Sequence, residues 1–157
     1  MKIRIPKNTS YNGLRFISEG KTTLDPTSVS TEQVKTLTRP EITLLCDELF
    51  MGIYRGKPCK MCGRTHIGKQ PTVAHHLIPK SSHPHLRYTP ENAFELCVRD
   101  HDFAELCPES FRSLLKKRFP DRHAWYESNK HHRDYEKLNL VKVFLQLKEQ
   151  YYDKEEK

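Results

Sequence analysis

Between Leu49 and Pro90 the chain has no aspartate and no glutamate. The same stretch holds seven basic residues: Arg55, Lys57, Lys60, Arg64, Lys69, Lys80 and Arg87. With 27 Lys and Arg against 20 Asp and Glu in all, the rest of the chain is balanced, and the whole surplus of +7 sits on this segment. Its lack of carboxylates excludes a two-metal site of paired acids there. A polyanion is the natural partner for such a segment, held mostly by phosphate contacts that weaken steeply with salt. No apolar run approaches the roughly 20 residues needed to span a bilayer, so no membrane association is expected. The start, MKIRIPKNTSYNG, is not followed by an apolar signal region, which predicts a cytoplasmic protein. Five cysteines are an odd number. Without an export signal they fit metal binding or buried thiols better than disulfides.

The 157 residues suggest one domain with arms. Residues 1–37 mix Ser, Thr, Gly, Lys and Pro with scattered apolars and read as a basic, partly irregular N-terminal arm. Thr38-Arg39-Pro40-Glu41 looks like a helix start. Ile42, Leu45, Leu49 and Ile53 then recur at helical spacing as far as Gly56-Lys57-Pro58. Cys46 falls on this helix as a buried thiol. A turn, CKMCGRTH, leads into a strand over Thr72–Ile78, and a second strand is expected over Ala93–Cys97. A helix over Val98–Leu106 follows, then one opened by Pro108 and a short one capped by Asp121 around Trp125. The segment 134–153 is a long helix with one stripe of Leu140, Phe144, Leu147 and Tyr151 and an adjacent one of Leu138, Val141 and Leu145. The stripe serves packing, with a homodimer seam as the alternative. The expected division is the arm, then residues 38–107 as a core, then 108–157 as a helical region.

The chemistry concentrates at VAHHLIP. His75 and His76 are adjacent at a strand end, where neighbouring side chains point to opposite faces. Asn92 lies sixteen residues beyond His76, and His101 nine beyond Asn92. Phosphodiester hydrolysis needs an activated water, a Lewis acid and charge relief for the leaving oxygen. Histidine titrates near neutral pH and can take a proton there. One ring of the pair can ligate a cation while the other faces the attacking water, and an Asn amide can fix the loop opposite.

This order resembles the HNH nuclease motif, the ββα-metal site. The resemblance implies an α+β fold with a ββα-metal core and a zinc knuckle, flanked by helices and a long C-terminal helix. It implies His76 as general base, Asn92 as orienting residue, His75 and His101 as metal ligands, and one Mg²⁺ or Mn²⁺. Glu105, one helical turn after His101, stands where some HNH enzymes place a further ligand. His83 and His85 read as loop residues.

Cys59-x-x-Cys62 with Cys97 suggests a structural zinc. The second pair of the pattern reads Cys97-x-x-Asp100, so Asp100 stands in the fourth position; His66 and Cys107 are other candidates for it. The wider order, from DELFMGIYR through CKMCGRT to HPHLRYTPENAFELC and a long Lys/Glu-rich helix, is similar to the Rap/NinG-type phage recombination endonucleases. That likeness implies a nuclease acting on branched or duplex DNA in recombination or repair, in the bacterial host cytoplasm. His75 and His101 replace residues usual in that family and bring the site closer to HNH nucleases at large. Arg87 and Lys80 are expected to face phosphate, with Lys116, Lys117 and Arg118 a lesser extension of the track. Two competitors are a non-catalytic zinc-pinned DNA-binding module and a zinc-knuckle adaptor that binds protein. Neither needs an adjacent histidine pair.

Overall fold

The computed structural model describes residues 16–17 and 23–155. Most of the expected arm, residues 1–15 and 18–22, lies outside the described residues. The chain forms two compact units: one from its N-terminal part up to Ile53 together with its C-terminal part from Leu138, the other Tyr54–Lys137.

In the first unit, short strands β1 (Phe16–Ile17) and β2 (Thr23–Leu24) pair antiparallel. A single 3-10 turn, Pro26–Ser28, follows, capped by the Asp25 carboxylate accepting from the Thr27 N–H at 2.9 Å. Helix α1 (Thr31–Thr36) starts with a reciprocal capping pair: Gln33 N–H donates to Ser30 Oγ, and Ser30 N–H to Gln33 Oε1. This part of the expected arm is therefore regular structure, because local caps satisfy the backbone without a long apolar pattern. Helix α2 (Arg39–Tyr54) begins where Thr38 predicts. The Glu41 carboxylate accepts from both the N–H and the hydroxyl of Thr38, at 2.7 and 2.8 Å, which holds its pKa below the usual range. Ile42, Leu45, Leu49 and Ile53 are buried, as their spacing predicts, and Cys46 lies among them.

Helix α6 (Leu140–Glu155) buries Leu140, Phe144 and Leu147. It starts later than the expected 134, at an Asn139 side chain that accepts from the Lys142 N–H at 3.1 Å. Of the second stripe, Leu145 is exposed at 37%. Three long side chains tie α6 into its unit: Lys148 donates to the Val29 carbonyl, Tyr152 to that of Thr27 and Lys154 to that of Gly52.

The second unit carries a two-stranded antiparallel sheet, β3 (Val73–His76) and β4 (Ala93–Leu96), followed directly by α3 (Val98–Leu106). The register pairs His75 with Phe94 and His76 with Ala93. Strand β3 ends earlier than the expected Ile78 because the ladder passes to a side chain. The Leu77 N–H still reaches the Asn92 backbone carbonyl, but the Ile78 N–H donates to the Asn92 side-chain oxygen at 2.7 Å. Helices α4 (Pro108–Arg118) and α5 (Pro120–Asn129) each open on a proline, which lacks the N–H that a first turn leaves unpaired. Phe94, Leu96, Ala104, Phe111 and Leu115 pack with Cys59 and Cys97 into the core. No helix among the described residues is long and apolar enough to cross a membrane.

Within the first unit, a Cβ on Gly52 would stand 2.6 Å from the half-buried Tyr151 ring. Gly52→Ala gains about 1 kcal/mol of helix propensity but forces that ring aside, at about 1–3 kcal/mol. We expect a lower urea midpoint for Gly52→Ala in the wild-type background and a higher one in a Tyr151→Ala background. A rise in both would show that the ring moves freely.

Candidate active site and metal centres

Strand alternation sends the two adjacent imidazoles to different surroundings. The His75 ring turns toward the helices. It stands edge-on to His101 of α3, with ring centroids 4.9 Å apart, and to Phe111 of α4 at 5.6 Å. Its pKa falls to about 3, first because burial removes water from the charged form and then through repulsion from His101 and His76. His75 is therefore neutral at physiological pH, the form that ligates a metal. His101 Nδ1 lies 3.6 Å from a carboxylate oxygen of Glu105, one helical turn on. His75, His101 and Glu105 bring one ligand atom each within 4.8 Å of one another. Two imidazoles and an exposed carboxylate fit a divalent cation that keeps positions open for water and substrate oxygens.

The His76 ring turns toward the following loop. Its Nε2 lies 2.8 Å from the Arg87 backbone carbonyl. A carbonyl only accepts, so Nε2 carries the proton and the basic lone pair falls on Nδ1. The residue before Arg87 is held by Asn92, which is fully buried. Asn92 accepts from the Ile78 N–H, and its amide donates to the Ile78 carbonyl at 3.0 Å and the Leu86 carbonyl at 3.1 Å. The loop between is a run of tight turns, Pro84–Leu86 and Pro90–Asn92. His83 is buried at 4% exposure rather than lying free in the loop. Its ring contacts His85, and His85 in turn contacts His132. Lys80 is exposed, and the Arg87 guanidinium stands 5.7 Å from the Tyr88 ring centre. The use of the Arg87 backbone and the packing of Phe111 on His75 escape sequence reasoning. A carbonyl looks the same at every residue, and Phe111 carries only the signal of a core position.

Cys59, Cys62, Cys97 and Asp100 form a second cluster that could bind zinc, again with ligand atoms within 4.8 Å of one another. The Asp100 carboxylate stands 3.1 Å from Cys59 Sγ and 3.4 Å from Cys97 Sγ. Zinc bonds of about 2.0–2.3 Å in a tetrahedron space their ligands roughly 3.3–3.8 Å apart, close to these distances. Backbone N–H groups of Met61, Cys62 and Cys97 point at the Cys59 sulfur, that of Arg64 at Cys62, and that of Asp100 at Cys97. Such donors favour thiolates. The turn that presents them needs Gly63, at φ +71°, a conformation other residues rarely adopt.

Without a metal, burial pushes the Cys59 thiol up to about 12. Cys62 drops to about 7, chiefly through His66, whose Nε2 lies 3.4 Å from its sulfur. Burial raises the Asp100 carboxyl, but the Cys59 and Cys97 thiols together with the Arg99 guanidinium, 3.4 Å away, hold it below its ordinary value. Of the candidates for the fourth position, Asp100 is in the cluster, His66 touches Cys62 from outside it, and Cys107 is exposed and apart.

Residues 59–103 match the family model for HNH endonuclease. The matched segment runs from the first cysteine of the knuckle through both strands into α3. No curated protein and no solved structure matches the chain.

Two outcomes are expected. Protein purified without added metal contains one zinc per chain, and Asp100→Asn or Cys97→Ser lowers that content in elemental analysis. His75 has a folded pKa below its unfolded value of about 6.5. Its contribution to stability is therefore complete above pH 6.5 and is lost as pH falls toward 3. Urea midpoints of metal-free protein decline across that window, and the decline is smaller in His75→Gln.

Proposed function

We propose that the protein is a metal-dependent DNA endonuclease. The observation that carries this reading is the division of labour at residues 75 and 76. One ring joins His101 and Glu105 in a ligand set, while the next is tied by Nε2 to a backbone carbonyl so that its basic nitrogen is Nδ1. A packing histidine does not need both arrangements on consecutive residues. The HNH match over 59–103 and the seven unopposed cations of Leu49–Pro90 support the same reading.

In the proposed reaction, His76 Nδ1 takes a proton from water as the water oxygen attacks phosphorus in line. The new P–O bond forms as the bond to the leaving sugar oxygen breaks, and that oxygen is protonated by solvent. His75, His101 and Glu105 would hold the cation, which supplies Lewis-acid stabilisation of the phosphate and leaving oxygens. The cation we favour is Mg²⁺ or Mn²⁺. Imidazole donors suit the softer of the two, so Mn²⁺ should support the higher rate. Asn92 fixes the loop, and Arg87 and Lys80 contact phosphates. Cys59, Cys62, Cys97 and Asp100 would hold a zinc ion whose part is structural.

We further place the nuclease core within residues 38–107, with 108–157 as helical support. The likeness of the 40–153 order to the Rap/NinG-type phage enzymes favours branched recombination or repair DNA as substrate. It also favours action as a homodimer, in the host cytoplasm.

The test is cleavage of a panel of linear, nicked, flap and four-way DNA substrates with Mg²⁺ or Mn²⁺, at two salt concentrations. Wild type cuts, and His76→Ala loses roughly 10²–10⁴-fold in turnover while keeping DNA affinity. If His76→Ala cleaves like wild type, the base assignment is wrong. DNA binding without cleavage by wild type would instead identify a non-catalytic module.

A further inference from the structure

The loop that gives His76 its acceptor is gripped from a helix outside the matched segment. Arg122, in the first turn of α5, is half-buried, and its Nη1 donates to the Pro90 carbonyl at 3.1 Å. Helix α5 packs against the Pro90–Asn92 turn at this point. The same carbonyl accepts the Ala93 N–H that closes the turn. The guanidinium lies within electrostatic reach of the buried Tyr54, alongside Glu91 and Glu95.

From Pro90 the constraint runs inward through short hydrogen bonds. The Asn92 N–H donates to the Thr89 carbonyl at 3.0 Å, and the Thr89 N–H to that of Leu86 at 3.3 Å. The Asn92 amide also holds the Leu86 carbonyl, at 3.1 Å. Arg87 is the next residue, and its carbonyl receives His76 Nε2. An Arg donor to a carbonyl is charge-assisted, and through it the outer end of this run of bonds is tied to α5.

We propose that Arg122 is a positioning residue for His76: through the Pro90 carbonyl and Asn92 it fixes the Arg87 carbonyl that selects the ring's tautomer. This rests on the nuclease reading only for its kinetic consequence. Groups hydrogen-bonded directly behind a metal-ligating imidazole are commonly worth 10- to 100-fold in activity, which sets the upper range for a residue that acts through the loop.

Full-length wild type, Arg122→Lys, Arg122→Gln and Arg122→Met are compared in two ways. The first is ¹⁵N NMR of the His76 ring. Wild type and Arg122→Lys show the Nε2–H tautomer, Arg122→Gln stays close to it because it keeps a donor, and Arg122→Met moves toward a tautomer mixture. The second is kinetics on whichever DNA of the substrate panel wild type cuts fastest. Arg122→Met loses up to roughly 10- to 100-fold in kcat with KM, DNA affinity and zinc content unchanged, and Arg122→Lys recovers most of the loss. Unchanged ring shifts in Arg122→Met overturn the inference. So does a loss confined to KM, which would make Arg122 a phosphate contact. If Arg122→Met does not fold, Arg122→Ala, which likewise removes the donor to the Pro90 carbonyl, is compared with Arg122→Lys, and unchanged ring shifts in it overturn the inference. If wild type cuts no DNA, the nuclease reading fails, and the ring shifts still decide the role of Arg122.

Discussion

One buried amide governs the geometry of the candidate site. The Asn92 side chain serves three backbone groups, the Ile78 N–H and the carbonyls of Ile78 and Leu86, where the two-stranded ladder has already ended. Leaving a buried polar group unmet costs about 1–3 kcal/mol. The loop between residues 78 and 92 therefore closes onto the strand end instead of fraying. That closure brings the Arg87 carbonyl to His76. Without the amide the turns at Pro84–Leu86 and Pro90–Asn92 would keep their own backbone bonds, but the Leu86 carbonyl and the Ile78 backbone would lose the side chain that joins them.

The second constraint is the pleat. Adjacent strand residues face opposite ways, so one dipeptide can serve two environments. His75 enters the shell of α3 and α4, where burial and neighbouring rings keep it neutral. His76 enters the loop, where a carbonyl orders its protons. The register with Phe94 and Ala93 sets both at once. A one-residue slip would exchange the two faces.

The two ligand clusters differ in chemistry and in access. Three thiols and a carboxylate, two of the thiols buried, suit a closed tetrahedral ion that pins the turn before β3 to the start of α3. Two imidazoles with an exposed carboxylate suit an ion that must still meet substrate. Both sets meet on α3, which supplies Asp100 to one and His101 and Glu105 to the other. The helix that fixes the knuckle thus also sets the second cluster.

Much of this was legible in the chain. Ligand chemistry belongs to side chains, so the cysteine pair with Cys97 and Asp100 could be picked out from type and spacing and His75, His101 and Glu105 through the resemblance, and the structure brings each set together. The apolar period located α2, and the strand pair fell close to its expected bounds. Other features were not legible. The start of α6 depends on the Asn139 cap, and the helical turn in the expected arm depends on the Ser30–Gln33 pair. That the helix from Leu140 shares a unit with α2 is a long-range choice no local pattern encodes. The sequence by itself determined which donors exist and roughly which elements carry them, because residue type and periodicity are local properties. Only the tertiary structure decided that the Arg87 carbonyl meets His76 and that Arg122 grips Pro90. Backbone acceptors are identical at every position, and the path of the chain in space is what sets one apart.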